Sequence, residues 1–555
     1  MNEKTRQTAM YGILLLVLLL PLFCLGVSNH GLWTADEPRV AEIGREMALT
    51  GNWVVPALNQ RPFLEEPPLY YASVAAVFRI LGGASDRTAR VPSVLFALGG
   101  CIALFFLGTF LFTPRIGFLS SLILATGFEY FRVAHWLVVD SALTCFIITA
   151  MMFFIMGYMA ENKRKKLLFY ILFYICCTGA FFTKGFIGLA VPGLAILAFL
   201  LLKRNLKELL RMHVPLGIVV FLALSLPWFF GLWSHGGAEY LKVFLIKNHI
   251  QRFLPGGSSG HHQPFYYYLF GFPEGFLPWS ILLIPVLIYS FRKSDDSLPP
   301  PQKSGITWLK CWFILGIVFL SVASTKRILY LMPVFPPFAL LAARYVDSTF
   351  LTRLFTKTEK AFLAIFAGFP LILGAAMTPV YLLASGKYPF IASHSLFFTV
   401  IAASGLVFGL SLVSLKYFFE KRMDRFWISS GGALYAVMIF SLVAVMPVLD
   451  NFKSFVPFTD QVKSIVTADH DLYAYTPDET LRAIIPFYTS FYLKETDNKD
   501  YLAARVAKGD RIFVAIRDKK GRFEDELVST GLFSVVVRHG AKEDRSSVLL
   551  SNRER

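Results

Sequence analysis

Charge is what this chain has little of. Asp, Glu, Lys and Arg make up 16% of its 555 residues while apolar side chains make up 55%, which excludes a water-soluble protein of this size and makes the bilayer its main solvent. Cysteine is scarce as well. The six cysteines, Cys24, Cys101, Cys145, Cys176, Cys177 and Cys311, all fall inside apolar runs, which argues against a disulfide framework or a cysteine zinc site. Neither an internal repeat nor an extended low-complexity segment is visible, and this weighs against a transporter built from paired repeats. Acid is in deficit, 37 Asp and Glu facing 54 Lys and Arg for a formal charge of +17. The tail from residue 448 holds 17 of each sign, so the excess belongs to the apolar portion. It reports topology and contact with anionic membrane lipids, not nucleic-acid binding.

What is present is a succession of apolar runs long enough to cross about 30 Å of hydrocarbon as helices. Thirteen are expected, at 10–27, 89–112, 116–135, 141–160, 167–183, 185–202, 214–233, 277–291, 306–324, 328–343, 361–383, 396–415 and 428–447. With the amino terminus in the cytoplasm, the basic connections Lys163 to Lys166, Lys203 to Arg211, Arg292 to Lys303, Arg344 to Lys360 and Lys416 to Arg425 all fall on the cytoplasmic side. The first run is read as a retained helix rather than a cleaved signal, because no small-residue cleavage site follows it.

Three polar stretches are then external: 28–88, 234–276 and the tail. The domain division is a transmembrane part, 1–447, and a tail, 448–555, that reads as a small periplasmic α/β domain. Its strands are expected at Asp471 to Thr476 and Arg511 to Ile516, with a terminal pair at Val535 to Arg538 and Ser547 to Leu550 and a helix from Glu479 to Leu493. The bland reading of the tail is a structural lid.

The external segments carry the polar chemistry. Asp36, Glu37, Pro38 and Arg39 open a stretch in which Val40, Ile43, Met47 and Ala48 recur at helical spacing, so a surface helix capped by Asp36 is expected. Glu65 and Glu66 precede Pro67 and Pro68, two acids that need a cation, a metal or a polar partner at a membrane surface. Asp140 and Lys184 stand at the ends of apolar runs, where the alternatives are a structural salt bridge and a snorkelling lysine. The loop 234–276 carries His249, His261 and His262 and then Phe265, Tyr266, Tyr267 and Tyr268. With Glu65 the histidines make a candidate zinc set, against the commoner outcome of ordinary loop hydrogen bonds, and the tyrosines suit an interfacial belt.

These segments resemble the polyprenyl-phosphate-dependent glycosyltransferases of the GT-C fold, close to the aminoarabinose transferases that modify lipid A and, more distantly, the protein O-mannosyltransferases. The resemblance rests on Asp36-Glu37-Pro38-Arg39, Gly51-Asn52-Trp53, Glu65-Glu66-Pro67-Pro68-Leu69, Arg90-Val91-Pro92, Asp140, Thr183-Lys184-Gly185, His262-Gln263-Pro264-Phe265-Tyr266-Tyr267 and Ser324-Thr325-Lys326-Arg327 leading to Tyr330-Leu331-Met332-Pro333. It implies a polytopic α-helical enzyme of the bacterial inner membrane that takes a sugar from an undecaprenyl-phosphate-type donor. The acceptor would be lipid A or a related envelope glycolipid; a protein or polysaccharide acceptor, or a transporter of the lipid-linked sugar, are the alternatives.

Transfer leaves negative charge on the lipid phosphate. Arg39, Lys184, Lys326 and Arg327, all external, are the candidate clamp, with Tyr330 beside them. An attacking hydroxyl calls for a base, for which Asp36 is the candidate, with Asp140 and Glu37 in support. Glu66 and Tyr266 are candidate acceptor contacts. One position departs from the aminoarabinose transferases, which carry Glu-Lys-Pro-Pro where this chain has Glu65-Glu66-Pro67-Pro68. An acid at Glu66 in place of a cation favours an acceptor without phosphate.

Overall fold

The structure is a computed structural model, and it describes all residues except 1–2, 34, 252–260, 292–297, 351–354, 468–469, 541–544 and 553–555. The loop 234–276 and the basic connections from Arg292 and Arg344 are thus described in part. Two compact units divide the chain. One comprises Met1–Gly26, Glu65–Leu69 and Ser93–Val448, the other Val27–Leu64, Tyr70–Pro92 and Leu449–Arg555. Most of the stretch 28–88 therefore shares a unit with the tail.

The first unit is helical. Among the described residues, ten helices are long and apolar enough to cross a membrane. Two further expected spans fall on bent pairs, Pro114–Ala125 with Phe128–Ala134 at 74° and Tyr267–Gly275 with Trp279–Phe291 at 117°. The expected span at 185–202 is the helix Ile187–Leu202, whose 16 residues fall short of a full crossing. Among the described residues, helices of spanning length account for ten to twelve crossings, which leaves the count of thirteen unconfirmed. The two bends lock together. The Phe128 amide donates to the Leu277 carbonyl at 2.9 Å, and a Cβ on Gly127 would lie 2.6 Å from the Phe276 ring, so only glycine admits this contact. Backbone freed at a bend is satisfied by the other bend, as an apolar environment requires.

Helix starts follow local chemistry. Thr113 caps Pro114–Ala125 by accepting the Ile116 amide, with proline in the first turn. Thr356 and Glu359 form a reciprocal capping box ahead of Lys357–Lys387. All six cysteines are free thiols.

The second unit is built on a five-stranded mixed sheet. Asp471–Tyr475 pairs in parallel with Lys494–Thr496 and with Ile512–Lys519, and Ile512–Lys519 pairs antiparallel with Arg545–Ser551, which pairs in turn with Ser534–His539. Strand alternation sends Phe513 and Ala515 to a core with Leu481, Ile484 and Phe458. The intervening Ile512, Val514 and Ile516 join Leu502 and Leu527 on the other face. A central strand buried on both faces has to read as a continuous apolar run, which is how Ile512 to Ile516 reads. The short edge strand Lys494–Thr496 had no such signal.

Against this sheet unit's helix Glu479–Thr489 packs Asp36–Thr50. Glu37, Pro38 and every residue from Val40 to Met47 are buried, so this is an enclosed helix, not the amphipathic surface helix the spacing suggested. Ala35, not Asp36, holds its N-cap position and no side chain caps it. Glu37 and Arg90, 1% and 0% exposed, form a bidentate pair, Nε to Oε1 at 2.9 Å and Nη2 to Oε2 at 3.0 Å. Arg90 also donates to the carbonyls of His30 at 3.0 Å and Gly31 at 2.7 Å, and Glu37 accepts the Trp33 amide at 2.7 Å.

Removing one partner of such a pair strands a buried charge. Arg90→Ala should destabilise this unit by about 3–5 kcal/mol. By contrast Arg61, whose side chain is 61% exposed and pairs with Glu495, is backed up by Arg482 and Asn59 on the same carboxylate, so Arg61→Ala should cost less than about 1 kcal/mol. Thermal unfolding of the purified variants checks the contrast.

Candidate active site

In the helical unit, a cavity of about 400 Å³ is lined by Glu65, Glu66, Lys184, Asn248, His249, Tyr268, Thr325 and Tyr330 together with apolar side chains such as Phe186 and Leu320. Lys184 ends the helix Lys163–Lys184 and Asp140 begins the helix Asp140–Met159. The two antiparallel helices thereby bring a cation and an acid to one level, and Lys184 Nζ donates to Asp140 Oδ1 at 2.6 Å. Asp140 is 1% exposed, so its charge depends on this partner. The ammonium also stands over the Tyr330 ring, 4.4 Å from its centroid, a favourable contact for a poorly hydrated cation. Glu66 lies within its electrostatic reach.

Gly185 makes the geometry possible. Its φ of +68° is left-handed, and a Cβ there would fall 1.9 Å from His249 Nε2, so the helix ends where the imidazole begins. His249 Nδ1 is bonded to the Phe244 carbonyl at 2.7 Å, and its ring packs on Phe244 with centroids 4.4 Å apart.

The candidate metal ligands divide. Glu65 and His249 line the cavity, whereas His261 and His262 are exposed on a short ladder in which the Lys326 amide donates to the His261 carbonyl and His262 bridges to Thr325. Among the described residues no three His, Cys, Asp or Glu side chains gather as a metal-ligand group, so the donor set does not fit a zinc site.

The cations read as a phosphate clamp also part company. Lys326 is 3% exposed and its ammonium donates to the carbonyls of Gln263 at 2.8 Å and Ala323 at 2.5 Å, which ties the ladder together; burial holds its pKa below the ordinary lysine value. Arg327 lies over Trp136, 5.7 Å from the ring centroid, and its carbonyl accepts the Tyr268 hydroxyl at 3.2 Å. Of the aromatic run, Phe265 and Tyr266 are exposed, at 76% and 52%, while Tyr268 is buried. The run is therefore a belt only in part.

In the sheet unit, Arg39 binds Asp36 at 3.0 Å and also Glu479, with its guanidinium over the Phe63 ring. One turn of helix places Asp36 and Arg39 on the same face. Glu37 points the other way, into the Arg90 pair, so adjacency in sequence did not make the two acids a catalytic couple. Two residues were overlooked, Glu129 and Arg132, an acid and a base inside the apolar run 116–135. A charge in such a run is itself the signal.

Residues 65–230 match the family described as dolichyl-phosphate-mannose-protein mannosyltransferase. The undecaprenyl phosphate-alpha-4-amino-4-deoxy-L-arabinose arabinosyl transferase of Pectobacterium carotovorum subsp. carotovorum (strain PC1) is 31% identical over 334 residues, 60% of this chain and 58% of the relative, so the match spans under two thirds of the relative's length. The crystal structure of ArnT from Cupriavidus metallidurans bound to undecaprenyl phosphate superposes with a TM-score of 0.76 at 20% identity, covering 98% of each chain. The archaeal oligosaccharyltransferase AglB from Archaeoglobus fulgidus, in complex with an inhibitory peptide and a dolichol-phosphate, superposes at 0.52 with 10% identity over 97% of this chain and 74% of that one. The chain is a multi-span membrane protein with the GT-C fold these transferases share.

Proposed function

We propose that the protein is a glycosyltransferase that moves a sugar from an undecaprenyl-phosphate-type carrier to an envelope glycolipid at the outer face of a bacterial inner membrane. The observation that carries this reading is the cavity in which Lys184 is held between buried Asp140 and the Tyr330 ring. A lysine so placed is a fixed cation in a poorly solvated site, which is what a departing lipid phosphate needs. Support comes from the relatives named for undecaprenyl phosphate donors and from the solved structure with that lipid bound.

The reaction asks three things of the chain. As the bond from the anomeric carbon to phosphate breaks and the bond to the acceptor oxygen forms, the phosphate keeps the electron pair and Lys184 takes up its charge. Tyr330 sets the position of that ammonium. Asp36, oriented by Arg39, accepts the proton of the attacking hydroxyl. Glu65 and Glu66 bring two carboxylates to the cavity, which suits sugar hydroxyls and, above all, the ammonium of an amino sugar such as the relatives' names specify. Lys326 is left out of the clamp because its ammonium already serves two carbonyls.

The external placement rests on the five basic connections. Reporter fusions at residues 298 and 460 should report opposite sides of the membrane; the same side for both would overturn it.

Asp36→Asn keeps the size of the side chain, and since Ala35 holds the cap position the helix should persist. Transfer should fall by about 10²-fold or more with little change in Tm. Near-normal transfer would remove Asp36 from the mechanism.

For Lys184 the structural and catalytic roles separate in a double variant. Lys184→Met alone leaves Asp140 buried without its cation and should lower Tm, whereas Lys184→Met with Asp140→Asn removes both charges and should recover it. If Lys184 holds the phosphate, the stable double variant still shows a donor KM raised by roughly ten- to a hundredfold, the equivalent of one charge-assisted hydrogen bond. The control is Lys163→Ala or Lys165→Ala in the exposed cytoplasmic run, not Lys166, which binds buried Glu208 at 2.7 Å. Full recovery of turnover with stability would make the pair structural only.

A further inference from the structure

A second cavity in the helical unit, about 560 Å³, shares no lining residue with the one that holds Lys184. The helices Glu3–Cys24, Pro114–Ala125 and Met423–Phe440 supply most of its wall. Most of the lining is aliphatic, phenyl or glycine, and the polar atoms of its upper part are spent inside the protein. Trp279 Nε1 donates to Thr126 Oγ1 at 2.8 Å, Trp427 Nε1 to Thr349 Oγ1 at 2.7 Å and the Tyr435 hydroxyl to the Leu18 carbonyl at 3.0 Å.

Two lining residues keep polar groups to offer, Tyr11 and Arg115, and they stand at the same end. The Tyr11 ring lies against Phe118, centroids 5.4 Å apart, and Phe118 is one turn of helix beyond Arg115. Arg115 gives Nε to Asp347 and rests its guanidinium over the Phe350 ring, 5.0 Å from the centroid. Among the described residues neither Nη atom has an acceptor, and the side chain is 42% exposed. Lys4, exposed, lies two turns below Tyr11 on the same face of the first helix. The start of Met423–Phe440 adds Lys421, Arg422 and Arg425 against Glu420 and Asp424, so this end is basic.

From Arg115 to Thr126 the chain climbs about 16 Å, close to half of the roughly 30 Å of bilayer hydrocarbon. The cavity thus has the depth of one leaflet. Water does not settle where the wall gives it no partners, and an unfilled shaft forfeits the dispersion contacts of its lining. Leu14 and Ile428, 42% and 74% exposed, line it as well, so it is open sideways to hydrocarbon. At Gly431 an added Cβ would meet nothing within 4 Å, so the glycine hollows the wall where a side chain would fit. An apolar shaft one leaflet deep, entered from the side and topped by cations at the membrane surface, matches an acyl chain that carries an anionic headgroup.

We propose that this cavity binds an anionic glycerophospholipid, one acyl chain in the shaft and the phosphate on Arg115, Tyr11 and Lys4. With the basic connections inside, it is a lipid of the cytoplasmic leaflet. The site does not depend on the glycosyltransferase reading. It serves the first helix, of whose apolar stretch only 22% is buried in the protein: the acyl chain supplies packing between Glu3–Cys24 and Met423–Phe440 that side chains leave unmade.

The test titrates the purified full-length protein in detergent with phosphatidylglycerol, followed by native mass spectrometry and thermal unfolding. The parent should retain one phosphatidylglycerol and gain Tm with it. Arg115→Gln should weaken that binding about tenfold, the equivalent of one charge-assisted hydrogen bond. The loss should persist in Arg115→Gln with Asp347→Asn, where no carboxylate is stranded. Gly431→Leu fills the shaft with a good helix former; its Tm should match or exceed that of the lipid-free parent and no longer respond to phosphatidylglycerol. Phosphatidylglycerol with a diazirine in its acyl chain should label the peptides holding Phe118 to Ile123 and Trp427 to Tyr435 in the parent and not in Gly431→Leu. The site is overturned by labelling that survives in Gly431→Leu, by equal binding to parent and Arg115→Gln, by phosphatidylethanolamine binding as tightly, or by undecaprenyl phosphate displacing the lipid. Sugar transfer is not the readout, so the failure of either proposal leaves the other standing.

Discussion

A charge withdrawn from water into a protein among lipids has to find its opposite, and the polar architecture of this chain follows from that need. Arg90 meets it most completely, with a bidentate carboxylate and backbone carbonyls around one buried guanidinium. The same rule recurs at other places with different consequences. Glu208 collects Lys166, Tyr170 and Arg211 in one polar knot. Asp140 claims one donor of Lys184 and leaves the ammonium at a cavity wall. Glu129 claims one edge of Arg132. Whether a pair is structural or functional depends less on its strength than on which donors remain after the pairing.

That distinction explains why counting cations along the sequence was a poor guide to a phosphate site. Lys326 and Arg327 are neighbours in the chain and read as equivalent, yet one ammonium is consumed by two carbonyls and the other side chain lies on an indole. Arg39 is bound by acids within its own unit. Lys184 differs because its helix ends at Gly185, where the chain turns away and leaves the side chain against open space.

Much of the architecture was legible. The apolar runs marked the helices, and charges at their ends marked Asp140 and Lys184, because a bilayer tolerates few ionisable groups and each has to be used or paired. Glu37 was misread for a simple reason: successive residues on a helix point about 100° apart, so the pattern that puts Asp36 with Arg39 necessarily sends Glu37 elsewhere. The bends at Gly127 and around Leu277 were invisible because hydropathy averages over a break of two or three residues. The enclosure of Asp36–Thr50 could not be read locally, since the helix that covers it lies more than 400 residues away.

The sheet unit has a further consequence that concerns time. Its parts come from two ends of the sequence: the Gly31 amide and the Trp33 indole donate to Asp450, and the Leu32 amide and Asp86 both depend on the Tyr488 hydroxyl. During synthesis at about 5–20 residues per second, some 350 intervening residues take on the order of tens of seconds. For that interval the first loop exists with its acceptors unmade, and only the finished chain completes it. A ribosome that stops early leaves a protein whose helices can be in place while this unit stays open. Completeness of translation and integrity of the loop that carries Asp36 are thus one and the same property.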